Sequence, residues 1–285
     1  ESFCNFEETF MECPAFWEQI RESSWEHGRS LFMDKKKVLR LCCMIFVIGI
    51  IFGKMNLPVS AASTTGNGTL VFSPDPGTTY DDSGVTYVRM ITLKHNGANN
   101  GTLLCVFDQQ IVVDGQGVWP VYKSTDDGET WQHVTDIRDH VYGTTHKMNP
   151  CIFELSQDVG GLREGTILVA GLLIPDDWSS TQITLFKSTD VGQSFTPISV
   201  VDSGGPTDYD NLPTSTTSAV WEPYLDIDGN GNLACYYSDE RQKANGVLQA
   251  LVYKSSTDGI NWGKVTNVVA VPNRNDRPGM VTVTR

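Results

Sequence analysis

Positive charge is scarce in this chain of 285 residues, where 21 Lys and Arg residues stand against 34 Asp and Glu residues. The resulting net charge of −13 is the wrong sign for holding a polyanion, which argues against nucleic acid as a partner. Long hydrophobic runs are also missing, because no apolar stretch reaches the roughly 18 residues that a membrane-spanning helix needs. The five histidines are scattered, without the spacing of a zinc-protease motif or a catalytic triad.

Cysteine is sparse and irregularly placed. After residue 62 only Cys105, Cys151 and Cys235 remain, each within an apolar, strand-like run. An odd number of widely spaced cysteines does not make a disulfide framework, and no Cys-x-x-Cys pair or Cys/His cluster indicates zinc. We therefore predict three buried free thiols, no metal site and no cofactor.

The segment 33–62 has the three parts of a secretory signal peptide. The basic residues Lys35–Lys37 and Arg40 precede an apolar stretch at 41–52, and residues 59–62 are small (Val-Ser-Ala-Ala). This order predicts cleavage after Ala61 or Ala62 and a secreted, extracellular protein. An uncleaved anchor with a cytoplasmic tail is the alternative.

Three domains follow from that interpretation. Residues 1–32 are an upstream extension outside the fold, residues 33–62 are the signal peptide, and residues 63–285 are the folded part. We expect the mature protein to be a monomer that has no contact with a membrane after cleavage.

A pattern of eight residues recurs in the folded part. Its copies are Ser124–Trp131, Ser188–Phe195 and the one-residue-shorter Ser256–Trp262, each preceded by a strand-like run that ends in Lys. The Asp residues of successive copies are 64 and 68 residues apart. Three copies with the same preceding run indicate a repeated structural unit.

The residues that the copies share suit a tight turn. Ser and Asp side chains cap the amides of such a turn, Gly adopts a left-handed dihedral angle, and the closing aromatic residue enters the core. We therefore predict a structural role in a hairpin, and no catalysis, for Ser124, Asp126, Gly128, Trp131, Ser188, Asp190, Gly192, Phe195, Ser256, Asp258, Gly259 and Trp262.

The segments between the copies are rich in Val, Ile, Leu, Tyr and Phe and are bounded by Gly, Asn, Asp and Pro. Strong helical periodicity is absent after residue 62, which favours an all-β fold. The predicted strands are 87–93, 102–107, 151–155, 166–173, 183–187, 232–237 and 246–254.

The repeated pattern resembles the Asp-box, or bacterial neuraminidase repeat, of sialidases and related β-propellers. In that family it lies on the turn between the third and fourth strands of a blade. A period of 64–68 residues then corresponds to one four-stranded blade, so residues 63–285 make roughly three to four blades. Complete propellers have about four to eight, so we expect a partial β-propeller truncated at its C-terminus.

Segments outside the repeats carry a closer resemblance. They are Tyr87–Met90, Asn149–Leu155, Trp221–Leu225 with Tyr236–Arg241, and Asp276–Met280. Together they resemble the six-bladed, sialidase-like propellers of glycoside hydrolase family 93, the exo-α-1,5-arabinanases, and related secreted bacterial proteins. The resemblance implies an exo-acting glycosidase that takes arabinan or a similar oligosaccharide or polysaccharide as its substrate.

Family 93 enzymes retain configuration and use two carboxylates, because one must protonate the leaving oxygen while the other attacks the anomeric carbon. The resemblance places the acid/base at Glu222, and an apolar wall at Trp221 is expected to raise the pKa of this carboxyl. The second carboxylate is expected beyond Arg285, so we expect this chain to be inactive alone. A strand-end Glu without a role is the alternative.

Three arginines are candidate substrate ligands, because Arg89, Arg241 and Arg277 each stand at a strand edge of a different blade. Sialidases grip a substrate carboxylate with three arginines, which makes exo-sialidase an alternative function. Against it, the segment Arg89-Met90-Ile91 lacks the proline that usually follows the first sialidase arginine. Ion pairs at the surface or between blades are the alternative role for these side chains.

A loop after Pro175 supplies two further candidates, Asp177 and Trp178, which are suited to bind sugar hydroxyls and to stack on a sugar face. A solvated acidic loop is the alternative. Because one fold carries many functions, a non-catalytic glycan-binding propeller also remains open.

Overall fold

The computed structural model describes residues 68–74, 85–113, 116–139, 146–207 and 215–284. These residues all lie within one compact unit, Pro58–Arg285. The predicted extension 1–32 and signal peptide 33–62 lie outside the described residues, so both remain predictions, as does secretion. Within the described ranges, no helix is long and apolar enough to cross a membrane.

Twelve strands and two single-turn 3-10 helices make up the described secondary structure. The helices are Gly97–Asn99 and Lys243–Asn245. The strands are β1 (Val85–Thr92), β2 (Leu103–Val113), β3 (Gln116–Ser124), β4 (Gln132–Ile137), β5 (His146–Glu154), β6 (Ile167–Ile174), β7 (Thr181–Ser188), β8 (Thr196–Gly204), β9 (Val220–Ile227), β10 (Leu233–Asp239), β11 (Ala250–Ser256) and β12 (Thr266–Val269).

Each group of four consecutive strands forms one antiparallel sheet, in the orders β1-β2-β3-β4, β5-β6-β7-β8 and β9-β10-β11-β12. Strand β5 lies against β1, and β9 lies against β5, so the first strands of the three sheets are neighbours at a common hub. Four-stranded meanders arranged in this way are blades of a β-propeller. The predicted all-β, partial propeller is confirmed.

The strands that sequence patterning predicted are the inner and middle strands of the blades. Strand β6 is buried along its whole length, which explains its continuous apolar sequence. The outer strands β4, β8 and β12 were not among the predicted strands, and neither was the inner strand β9. The outer strands carry mixed polarity because they lie at the blade edges, and β12 is exposed at every residue.

The three copies of the repeat adopt one turn, which joins the third and fourth strands of each blade. In the second copy, the Ser188 hydroxyl donates to Asp190 Oδ1 at 2.7 Å and accepts from the Gly192 amide at 2.9 Å. The Ser194 amide closes the turn on Asp190 Oδ1 at 3.0 Å. The predicted hairpin role of these residues agrees with this geometry.

The shorter third copy differs in its backbone. The first two copies place two successive residues in the left-handed region, Asp127 with Gly128 and Val191 with Gly192, whereas the third places only Gly259 there. The missing residue is therefore absorbed at the turn, and the hydroxyl of Ser256 still accepts from the Gly259 amide at 2.8 Å.

Large side chains of one blade fill the space against small residues of the next. Trp119 of the first blade is fully buried, and its ring lies so close to Gly171 that no space remains for a Cβ there. Trp119 also meets Phe186 edge-on, with ring centroids 5.9 Å apart. A second apolar core, between the second and third blades, includes Leu172, Leu185 and Tyr237.

Cys105, Cys151 and Cys235 are free and buried, as predicted. Burial raises the pKa of both the Cys105 and the Cys151 thiols to about 11. These side chains therefore act as small apolar groups of the core.

The two ends of each blade carry different features. Because the strands alternate in direction, the first strand begins where the second strand ends and the third begins; we call this the upper end. The repeat turns, between third and fourth strands, lie at the opposite, lower end. Residues near the starts of β1, β5 and β9 therefore lie far from the repeat turns.

Substituting Gly171 by Ala tests the packing between the first two blades. The added methyl group meets the buried Trp119 ring, so we expect the free energy of unfolding to fall by about 1–3 kcal/mol. Urea denaturation measures it. Gly161→Ala is the matched control, since a Cβ there meets nothing within 4 Å. An equal effect of the two substitutions would contradict the described packing.

Candidate active site at the hub

The first strand of every blade carries a bulge with a non-glycine residue in the left-handed region. These residues are Tyr87 (φ 50°), Asn149 (φ 52°) and Glu222 (φ 59°), and the strand pairing shifts register at each of them. Met280 (φ 52°), in the segment after the third blade, has the same conformation. Such backbone costs about 1–3 kcal/mol at each residue and is characteristic of functional sites.

Glu222 is held from three directions. Its Oε1 accepts from the Tyr87 hydroxyl at 3.3 Å. Its Oε2 accepts from the Ser238 hydroxyl at 2.9 Å and from the Met280 amide at 2.7 Å. The first blade, the third blade and the segment after it therefore meet at one half-buried carboxylate near the upper end.

Tyr87 acts as a hydrogen-bond donor at this site. Burial, together with the negative charge and hydrogen bond of Glu222, raises the pKa of Tyr87 to about 12. The phenol therefore stays protonated at neutral pH and continues to donate to Glu222.

The described contacts of Trp221 are with residues other than Glu222, so the apolar wall stays a prediction. Its indole Nε1 donates to Glu240 Oε1 at 3.1 Å, and its ring packs on the core between the second and third blades. The contacts of the Glu222 carboxylate are instead the three donors described above. The bulge at this point of β9 changes the direction of successive side chains.

Glu240 is the centre of a second polar cluster. The carboxylate is buried and accepts from Thr217 at 2.7 Å, from Lys243 at 2.9 Å and from Arg277 at 3.2 Å. Burial by itself would raise the pKa of Glu240, but these hydrogen bonds and positive charges outweigh it and lower the pKa. Glu240 is therefore held as a charged anchor directly after β10.

The three candidate arginines have separate surroundings. Arg241 donates to Asp202 and Asp239, both at 2.8 Å, and so links the third blade to β8 of the second. Arg277 pairs with Glu240, and Arg89 donates to its neighbouring carbonyl on Val88 at 3.1 Å. The contacts of Arg241 match the interblade ion pair that was its alternative role. Substrate binding by any of the three remains a prediction.

Asp177 and Trp178 lie on the β6–β7 loop, at the upper end of the second blade. Asp177 is exposed, and its Oδ1 accepts from the Ser179 amide at 3.1 Å. Trp178 is half-buried, with its ring 4.7 Å from the ring of His146. The Trp178 indole also packs on the core between the second and third blades. Sugar binding by Asp177 and stacking of Trp178 on a sugar both stay predictions.

Asp108 is a site residue that sequence reasoning missed. It is fully buried at the upper part of β2, where Oδ2 accepts from the Thr86 hydroxyl at 3.2 Å and from the Asn149 amide at 3.1 Å. Burial raises the pKa of Asp108 to about 8, although these hydrogen bonds lower it in part. An aspartate directly after the apolar run Leu103–Phe107 was the available signal.

Asp108 connects the bulges of two blades. It touches the residue before Tyr87 on β1 and the backbone of Asn149 on β5. The neutral acid therefore ties the first and second blades together close to the phenol that supports Glu222. Among the described residues, no three His, Cys, Asp or Glu side chains are grouped to hold a metal ion.

The geometry defines the class of protein as a sialidase-like propeller with a carboxylate at its hub. Solved structures of two such enzymes are similar to the chain. An α-L-arabinofuranosidase of Fusarium graminearum, solved with an iminosugar inhibitor, is 33% identical over 73% of this chain, with a TM-score of 0.65. An α-L-arabinanase of Penicillium chrysogenum, solved with arabinobiose, is 35% identical over 74% of this chain, with a TM-score of 0.66.

These similarities confirm the resemblance to glycoside hydrolase family 93, because the Fusarium enzyme is described as a member of that family. The chain spans 55% and 56% of the lengths of the two enzymes. No protein-family model matches the chain, and no curated protein is significantly similar to it. The similarity supports a glycoside hydrolase of the propeller fold.

The pH dependence of stability tests the buried state of Asp108. An unfolded Asp has a pKa of about 3.9, so between about pH 4 and pH 8 the folded state holds a proton that the unfolded state has lost. The free energy of unfolding therefore falls as pH rises through this window, by up to about 1.4 kcal/mol per pH unit. Asp108→Asn, which is neutral throughout, should flatten this decline.

Urea denaturation at intervals from pH 5 to pH 8 measures the slope. Asp127→Asn, an exposed residue on the first repeat turn, is the control and should keep the wild-type slope. If Asp108→Asn also keeps the wild-type slope, Asp108 is not a buried neutral acid.

Proposed function

We propose that the protein is a secreted, exo-acting glycosidase that cleaves arabinan or a similar side-chain glycan with retention of configuration. The observation that carries this proposal is the fixed position of Glu222. A strained bulge and donors from two blades hold this carboxylate at the hub of a fold shared with arabinan-degrading enzymes.

Glu222 is assigned the role of acid/base. A retaining mechanism needs one carboxyl group that first protonates the leaving oxygen and then removes a proton from water. The Met280 amide can only donate, and together with the Ser238 hydroxyl it favours an unprotonated Oε2, which assigns the catalytic proton to Oε1. Tyr87 faces Oε1, and its hydroxyl can accept as well as donate, so it is compatible with both protonation states of Glu222.

The second carboxylate is proposed to lie beyond Arg285. A retaining pair stands about 5–5.5 Å apart, which is close enough for the second carboxylate itself to attack the anomeric carbon. Since the chain spans about half the length of the similar enzymes, hydrolysis is a property we propose for the complete protein. The predicted signal peptide supports secretion.

Arabinose oligosaccharides are the proposed ligands because both similar enzymes have been solved with arabinobiose bound. The sialidase alternative is less well supported, since Arg241 and Arg277 are each already paired with carboxylates. Glycan binding without turnover is the second alternative, and the experiment below separates it.

Glu222→Gln in the complete protein tests the assignment. The amide keeps an acceptor for Met280 but cannot transfer a proton, so we expect release of arabinobiose from linear arabinan to fall by about 100-fold or more. Binding of arabinobiose, measured by calorimetry, should change little. Glu129→Gln, an exposed residue on the first repeat turn, is the control and should keep full activity.

Undiminished hydrolysis by Glu222→Gln would remove Glu222 from the mechanism. Binding of arabinobiose by a wild-type protein that never releases it would instead favour a glycan-binding propeller. Cleavage of a sialoside reporter that is lost in Arg89→Ala would favour the sialidase alternative.

A further inference from the structure

The segment Arg277–Met280, which we call the strap, lies directly over Glu222. The strap contacts this carboxylate through the Met280 amide, which donates a hydrogen bond to Oε2 at 2.7 Å. An amide can approach so closely only if the preceding residue leaves room. A Cβ on Gly279 would stand 2.9 Å from Glu222 Oε2 and 3.0 Å from Gln249 Nε2, closer than ordinary van der Waals contact allows.

The strap is anchored on both sides of Gly279. Gln249, which is buried directly before β11, donates from Nε2 to the Pro278 carbonyl at 2.5 Å. Arg277 donates to the buried Glu240 at 3.2 Å. The strap is therefore attached to the third blade by one neutral and one charged contact, and neither contact involves Glu222.

The strap supplies the third of the hydrogen-bond donors to Glu222, and no single blade supplies all three. Ser238 belongs to the third blade and Tyr87 to the first, but the Met280 amide follows the third blade in the chain. It is also the one donor of the three that cannot rotate or accept. It therefore fixes which oxygen of Glu222 remains available for a proton.

We propose that the strap is a positioning element for Glu222, in which Gly279 provides clearance and Gln249 holds the backbone so that the Met280 amide orients the carboxylate. Its catalytic consequence rests on the proposed function. Any side chain at residue 279 must displace the Glu222 carboxylate, the Gln249 amide that holds the strap, or the strap itself. A displacement of about 1 Å at a catalytic group is sufficient to cost roughly 100-fold in rate.

Gly279→Ala tests the inference, with Gly229→Ala as the matched control. Gly229 lies in the same blade at the lower end, and a Cβ there meets nothing within 4 Å. In the complete protein we expect kcat on linear arabinan to fall by about 10- to 100-fold in Gly279→Ala with KM changed less than threefold, and both constants to be unchanged in Gly229→Ala.

A spectroscopic measurement tests the same contact without relying on activity. In protein labelled with ¹⁵N-methionine, the Met280 amide proton should move upfield in Glu222→Gln and in Gly279→Ala, because its hydrogen bond to a carboxylate is weakened or lost. It should stay in place in Gly229→Ala. Met280→Leu assigns the resonance.

A second variant covers the case in which Gly279→Ala does not fold. Gln249→Met keeps the length of the side chain but cannot donate to Pro278, so it should release the strap and shift the Met280 amide in the same direction. A Met280 amide that stays in place in Glu222→Gln and Gln249→Met would overturn the proposal, as would a wild-type kcat in Gly279→Ala. If the variants show the expected shifts but the wild-type protein has no glycosidase activity, the positioning role is supported and the proposed function is overturned.

Discussion

The left-handed bulge in the first strand of each blade is the constraint on which the site depends. In a regular strand, successive side chains alternate between the two faces of the sheet. The bulge at Glu222 interrupts this alternation and brings its carboxylate to donors that are 135 residues away in one direction and 58 in the other. Tyr87 and Asn149 have the same left-handed backbone, so the bulge recurs in the first strand of all three described blades.

Stability and function are separated along each blade. The repeat turns close the lower end with hydrogen bonds made within a few residues, and they contain no residue of the candidate site. The upper end carries the candidate site, with contacts between blades at Asp108 and Arg241 and the Glu240 cluster at the third blade. The repeat turns and the candidate site therefore lie at opposite ends of the blades.

The repeated turns and apolar runs were sufficient to predict the blades, because each depends on interactions between residues close in sequence. Glu222 was chosen as a candidate from the Trp-Glu-Pro segment, whereas its hydrogen-bond partners Tyr87, Ser238 and Met280 were not among the candidates. Their role arises from how the blades curve around the hub, which no local pattern encodes. The outer strand β12 was missed for a different reason, since its exposed edge position removes the apolar signal on which strand prediction relies.

The most direct test of the account is a crystal structure of the complete protein carrying Glu222→Gln, with an arabinan oligosaccharide bound. The account predicts that the sugar lies at the upper end of the hub, with the oxygen or nitrogen of residue 222 about 3 Å from the glycosidic oxygen of the scissile bond. A sugar bound at the lower end, or one whose glycosidic oxygen does not approach residue 222, would contradict it.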